Sequence, residues 1–136
     1  PAIKSINYLG NMMALEDANK QDAFEAVFYD KKGNITECAI RNIFFIKNKE
    51  ILTPSLDLGI LSGVMRDTIF DIAKSMNISC IEAYINKKEL NTMDEAFITS
   101  TGIGLLPCYW DNKKFNFSLT KAIKKELFNR INNINL

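Results

Sequence analysis

Apolar residues first recur at three- and four-residue spacing early in the chain: Tyr8, Met12 and Leu15 form one row and Leu9 and Met13 lie beside it, with Glu16, Asp17 and Lys20 outside. This spacing predicts an amphipathic helix, weakened at Gly10 by about 1 kcal/mol relative to alanine. Residues 23–30 (Ala-Phe-Glu-Ala-Val-Phe-Tyr-Asp) read as a strand, and Lys31-Lys32-Gly33-Asn34 as a four-residue hairpin loop into a second strand over 35–40. Residues 42–47 and 50–53 make another apolar pair around the polar turn Asn48-Lys49, and Pro54 ends it. The middle of the chain is therefore expected to be an antiparallel meander. Inside it lies Glu37, a carboxylate in an apolar, β-leaning run.

Residues 58–63 (Leu-Gly-Ile-Leu-Ser-Gly) form a loop in which Ser62 is the expected N-cap of the next helix. Met65, Ile69, Ile72, Ala73 and Met76 mark that helix's apolar face; Asp67 and Asp71 suit its start, and Asn77 closes it. Strands are expected over 78–84, 95–99 and 105–110, with a short helix or turn at 87–91 and Pro107 pointing to an edge or bulge. Ser118 is expected to cap a final helix with the apolar row Ile123, Leu127, Ile131 and Ile134. The result is one mixed α/β domain spanning residues 1–136, with an antiparallel-rich sheet and flanking helices.

Composition narrows the chemistry. The 136 residues are 47% hydrophobic, enough for a real core, and carry a net charge of +1 with acids and bases interspersed. No basic stripe suggests nucleic acid, and no apolar run approaches a membrane span. Cys38, Cys80 and Cys108 are an odd number in apolar surroundings without a C-x-x-C pair, and they read as buried reduced thiols of a cytoplasmic protein. Histidine is absent. That excludes His-dependent nucleophile schemes and the usual zinc sets, leaving acid–base work to Lys, Glu, Asp, Tyr or a cofactor.

Four pieces then stand out. Lys4 is either a surface charge or an amine able to attack a carbonyl when desolvated. Glu37 either faces solvent from an edge strand or meets a cationic partner in a pocket. The Leu61-Ser62-Gly63-Val64 run opens a helix, and Thr99-Ser100-Thr101-Gly102 follows a strand. Both are ordinary turns or anion cups made of N–H groups and hydroxyls. An amine, a carboxylate and two anion cups are the inventory that a pyridoxal phosphate site requires.

The order Lys4-Ser5-x-Asn7-Tyr8, then Thr36-Glu37-x-x-x-x-Asn42-Ile43-Phe44, then Gly63-Val64-Met65-Arg66-Asp67, then Thr99-Ser100-Thr101-Gly102 with Pro107 beyond resembles the class IV aminotransferases. These fold-type IV pyridoxal phosphate enzymes include branched-chain and D-amino-acid transaminases and 4-amino-4-deoxychorismate lyase. The resemblance covers almost the whole chain. It implies pyridoxal 5'-phosphate as cofactor, Lys4 as the Schiff-base lysine and proton shuttle, and Glu37 as partner of the pyridine nitrogen. Gly63, Val64 and Met65 would offer backbone contacts to the phosphate, Thr101 its hydroxyl, and Tyr8 a contact to the phenolic oxygen.

For a small amino substrate, Thr101 and Gly102 would line the carboxylate site. Arg41 departs from the serine common in the family, and either binds a substrate carboxylate or solvates a strand end. Thr36-Glu37-Cys38, the segments 54–57 and 63–66, and Gly104 in place of a glutamate lean toward the lyase, which releases pyruvate and p-aminobenzoate for folate synthesis. A transaminase is the alternative, and a binding domain that has lost activity is the alternative of another class. Family members carry a smaller domain before the lysine. The chain is thus expected to be the C-terminal, cofactor-bearing part of a homodimeric enzyme, and inactive alone.

Overall fold

The computed structural model describes residues 8–111 and 113–133. Lys4 and Ile134, both singled out from the sequence, lie outside the described residues. In chain order the elements are α1 (Leu9–Asn19), β1 (Val27–Tyr29), β2 (Ile35–Cys38), β3 (Asn42–Lys47), β4 (Glu50–Pro54), α2 (Val64–Ser75), β5 (Cys80–Ala83), β6 (Glu95–Ser100), β7 (Gly104–Pro107) and α3 (Ser118–Asn133). Short 3-10 turns occupy Leu56–Leu58 and Lys87–Thr92. Among the described residues no helix is long and apolar enough to cross a membrane.

Five strands form one sheet in the order β5-β4-β3-β6-β7; β1 and β2 pair apart from it. The two central strands, β3 and β6, read as nearly unbroken apolar runs because both of their faces are covered. On one face Phe44, Ile46 and Phe97 meet Ile69, Ile72 and Ala73 of α2 and Ile123 and Leu127 of α3. Phe44 and Phe97, register partners across β3 and β6, stack with ring centroids 4.9 Å apart. On the other face Ile43, Phe45, Ala96 and Ile98 meet Ile35 and Cys38 of β2 with Ile85 and Met93. The β3–β4 turn is a two-residue hairpin in which Asn48 and Lys49 both have positive φ, 51° and 66°, as a primed turn requires. Beyond β4 the chain crosses over through α2, so β5 joins β4 in parallel. Pro107 ends β7 at the sheet edge, where its missing N–H is harmless.

The expected continuous meander is broken in two. Cys38 donates its N–H to the Arg41 carbonyl (2.9 Å) and Ala39 donates to Ala26 (3.0 Å). These bonds fold the chain back at Ala39-Ile40, and β3 leaves for the larger sheet. Glu37 therefore sits in the two-stranded sheet, not beside β3. The strand expected over 23–30 shortens to β1; ahead of it the Glu25 carboxylate accepts the N–H of Ala26 (3.0 Å) and shares the Ala39 N–H (3.2 Å) with the Ala26 carbonyl.

Both helix caps also differ from expectation. The N-cap of α2 is Gly63, not Ser62, and no side chain bonds it. At α3 the cap acceptor is Glu95 from β6. It receives the Ser118 hydroxyl (3.1 Å) and the N–H groups of Leu119 (3.0 Å) and Thr120 (2.8 Å). Ser118 thus donates to the cap. The α3 apolar row is deeply buried at Ile123 and Leu127 and emerges at Ile131.

Candidate functional site

A cavity of about 320 Å³ opens where β2, the turn after it, the end of β6 and the start of α2 converge. Glu37 lines it from β2, Gly63, Val64 and Met65 from the helix start, Thr99 and Ser100 from β6 with Thr101 just beyond, and Tyr8 from the position before α1. In the sequence Glu37 lies more than 20 residues ahead of either run, and the fold brings all three to one cavity. Arg41 lines the same cavity; Gly102 is exposed in the turn beyond it and does not.

Two bonds to one residue hold these pieces in register. The Leu61 N–H donates to the Glu37 carboxylate (3.2 Å), and the Leu61 carbonyl accepts from the Asn42 side-chain amide (2.8 Å). The other end of that amide, Oδ1, lies 2.3 Å from where a β-carbon on Gly63 would stand. Only glycine fits there without displacing Asn42. The chain can therefore run close past β3 and enter α2 with an extended residue, Gly63 (φ −79°, ψ 142°), at the cap.

The first intrahelical bond of α2 runs from the Asp67 N–H to the Gly63 carbonyl (3.1 Å). The N–H groups ahead of it have no intrahelical acceptor, and no side chain caps them. With the helix dipole they favour an anion. Thr99 adds a second sign: its hydroxyl is buried on the cavity wall and has no hydrogen-bond partner among the described residues. A glycine cradle, an uncapped helix start and an unpartnered hydroxyl suit the phosphate end of a cofactor. Glu37, lining the same cavity, suits a cationic ring nitrogen.

Arg41 has an acidic partner within the fold. It pairs with Glu25, lies over the Phe24 ring at 4.8 Å, and is only 11% exposed at the side chain. Its charge is thus met inside the protein by Glu25, while the residue also lines the cavity. Sequence reasoning missed Glu25. The clue was available, for Glu25 sits in an apolar run as Glu37 does. Tyr8 and Asn11 bring the start of α1 over the cavity, where the Asn11 amide donates to the Ala39 carbonyl.

The chain is 39% identical over 105 residues to a D-alanine aminotransferase of Listeria monocytogenes, covering 77% of this chain and 36% of that protein. It is 35% identical over 105 residues to the aminodeoxychorismate lyase of Bacillus subtilis, covering 77% of this chain and 36% of that protein. The crystal structure of a branched-chain aminotransferase from Thermoproteus uzoniensis superposes with a TM-score of 0.83 at 30% identity, over 88% of this chain and 41% of that one. The chain spans less than half the length of the curated relatives it matches. Residues 1–109 match the model of the amino-transferase class IV family, and the chain belongs to that family.

Proposed function

We propose that this chain carries the cofactor site of a pyridoxal 5'-phosphate-dependent class IV enzyme. The observation that carries the reading is the shared wall: Glu37 and the uncapped start of α2 face one cavity and are tied together through Leu61. When bound, the cofactor supplies an electron sink for the charge left when a substrate amine loses its α-proton.

The chain's own residues divide the remaining work. Val64 and Met65 offer backbone N–H groups to the phosphate, with Thr101 and Thr99 offering hydroxyls. Glu37 would accept a charge-assisted hydrogen bond from the protonated ring nitrogen and so keep that nitrogen cationic. Lys4, four residues ahead of Tyr8 in the sequence, would hold the cofactor covalently through Nζ, and its amine, once released by the substrate, would take the substrate's α-proton. Tyr8 lines the cavity and would contact the cofactor's phenolic oxygen. The test is an absorbance titration of the intact protein with pyridoxal 5'-phosphate. A visible band that forms in the wild type and is lost in Lys4→Ala supports the reading; a band unaffected by that substitution defeats it.

For the overall reaction we favour elimination of pyruvate from aminodeoxychorismate to give p-aminobenzoate, a folate precursor. Thr36-Glu37-Cys38 and the segments 54–57 and 63–66 support it, as does the likeness to the Bacillus subtilis lyase. Amino transfer is the second reading, favoured by the higher identity to the D-alanine aminotransferase. Assaying the intact protein for p-aminobenzoate and pyruvate against amino transfer to 2-oxoglutarate separates the two.

A further inference from the structure

Arg66 is the third residue of α2, and its side chain is 2% exposed. A cation in the first turn of a helix opposes the helix dipole, and burying a guanidinium carries a large desolvation cost. An apolar residue would pack more cheaply against Phe70, which Arg66 overlies at 5.1 Å. What the guanidinium achieves instead is geometric. Its Nη2 reaches the Pro54 carbonyl at the end of β4 (3.2 Å) and the Glu82 carboxylate on β5 (3.0 Å).

Glu82 passes the constraint on. Its other oxygen accepts the Leu56 N–H (2.9 Å) and the Ser55 hydroxyl (3.1 Å). One ion pair therefore grips the first residues of the loop running from β4 to α2. The far end of that loop is gripped at Leu61 by Glu37 and Asn42. Between the two grips Gly59 turns the chain with φ 75°. A loop fixed at both ends delivers the first N–H groups of α2 to the cavity already oriented, so no ordering is left to the moment of binding.

Resting on the cofactor reading above, we propose that Arg66 and Glu82 are positioning residues for the phosphate of the cofactor: without touching it, they set the placement of the α2 start that receives it. Neither residue lines the cavity, so their effect reaches the cofactor through the loop and the α2 start that the loop carries, and it falls mainly on the phosphate.

The test compares pyridoxal 5'-phosphate with pyridoxal, which shares the aldehyde and ring but lacks the phosphate, by equilibrium titration of the intact protein. Glu82 is partly exposed at the side chain (36%), so Glu82→Ala leaves the core in place; circular dichroism verifies the fold. Glu82→Ala is expected to weaken pyridoxal 5'-phosphate by about tenfold, the scale of one or two lost hydrogen bonds, and to change pyridoxal by less than about twofold. Arg66→Lys, which keeps the charge but not the forked geometry, should fall between wild type and Glu82→Ala. Equal weakening of both ligands, or no change in a folded Glu82→Ala, overturns the positioning role alone. A wild type that binds the two ligands equally overturns the phosphate cup, and the positioning role with it.

Discussion

The Asn42 side-chain oxygen occupies the space that a β-carbon on Gly63 would need, 2.3 Å from its ideal position. The φ of Gly63 is −79°, a value open to any residue, so the demand for glycine here is one of space and not of backbone conformation. Gly63→Ala should therefore destabilise the protein by about 1–3 kcal/mol, the range of an overpacked site. It should weaken pyridoxal 5'-phosphate more than pyridoxal, because the collision displaces the start of α2. Adding Asn42→Ala relieves the collision while losing the bond to Leu61. In a double-mutant cycle followed by urea unfolding, the pair should cost less than the sum of the two single changes. Strict additivity would mean that the two side chains do not compete for that space.

Much of this site was legible in the sequence, because its residue types are constrained by local chemistry. Glycine at a helix start, hydroxyls after a strand and a carboxylate among apolar residues each leave a visible mark. The register of the two grips on the 55–63 loop was not legible, since it depends on β5 lying parallel beside β4 and so on a crossover that no periodicity encodes. The split of the meander escaped for a similar reason. Alternation identifies strands, but it does not say that the Glu25 carboxylate will take the Ala26 N–H and share that of Ala39. Ser62 and Ser118 failed as caps because a cap is judged from neighbours in sequence, whereas at α3 the acceptor comes from another strand.

The Glu25–Arg41 pair is deeply buried, with 7% and 11% side-chain exposure. Arg41→Met leaves the Glu25 carboxylate bonded to two backbone N–H groups but without a counter-charge. It should cost about 3 kcal/mol, as for other broken buried pairs. Glu25→Leu with Arg41→Met removes both charges and should cost less than Arg41→Met alone. Urea unfolding of the three proteins checks this. A double variant no more stable than the single one would show that the pair's hydrogen bonds, and not its charges, carry the effect.

The thiols offer a check on packing. Burial pushes the Cys38 thiol well above its ordinary value, with the nearby Glu25 charge adding to the shift. Burial likewise pushes Cys80 and Cys108 up to about 12. Thiolates are the reactive form, so at pH 8 all three should label slowly with a disulfide reagent in the native state and rapidly in denaturant. Fast native labelling of Cys38 would contradict its place between the two-stranded sheet and β3.

Glu95 gives the fold an acid-sensitive joint. Burial alone would push its carboxyl up, but the bonds from Thr120, Leu119 and Ser118 outweigh burial and hold it below its ordinary 4.5. The unfolded chain then binds a proton at a pH where the folded chain does not. Stability from this group is complete above about pH 4.5 and is lost as the pH falls through the lower, folded value. Glu95→Gln keeps the shape and removes the charge. It should lower stability at pH 7 by about 1–3 kcal/mol, the scale of hydrogen bonds to a charged group. It should also flatten the fall in stability between pH 5 and about pH 3. Unfolding by urea across that range in both proteins measures the two slopes. If wild type and variant lose stability in parallel, the start of α3 does not depend on the Glu95 charge, and the acid limb belongs to other carboxylates such as Glu82, held low by the Leu56 N–H and Arg66.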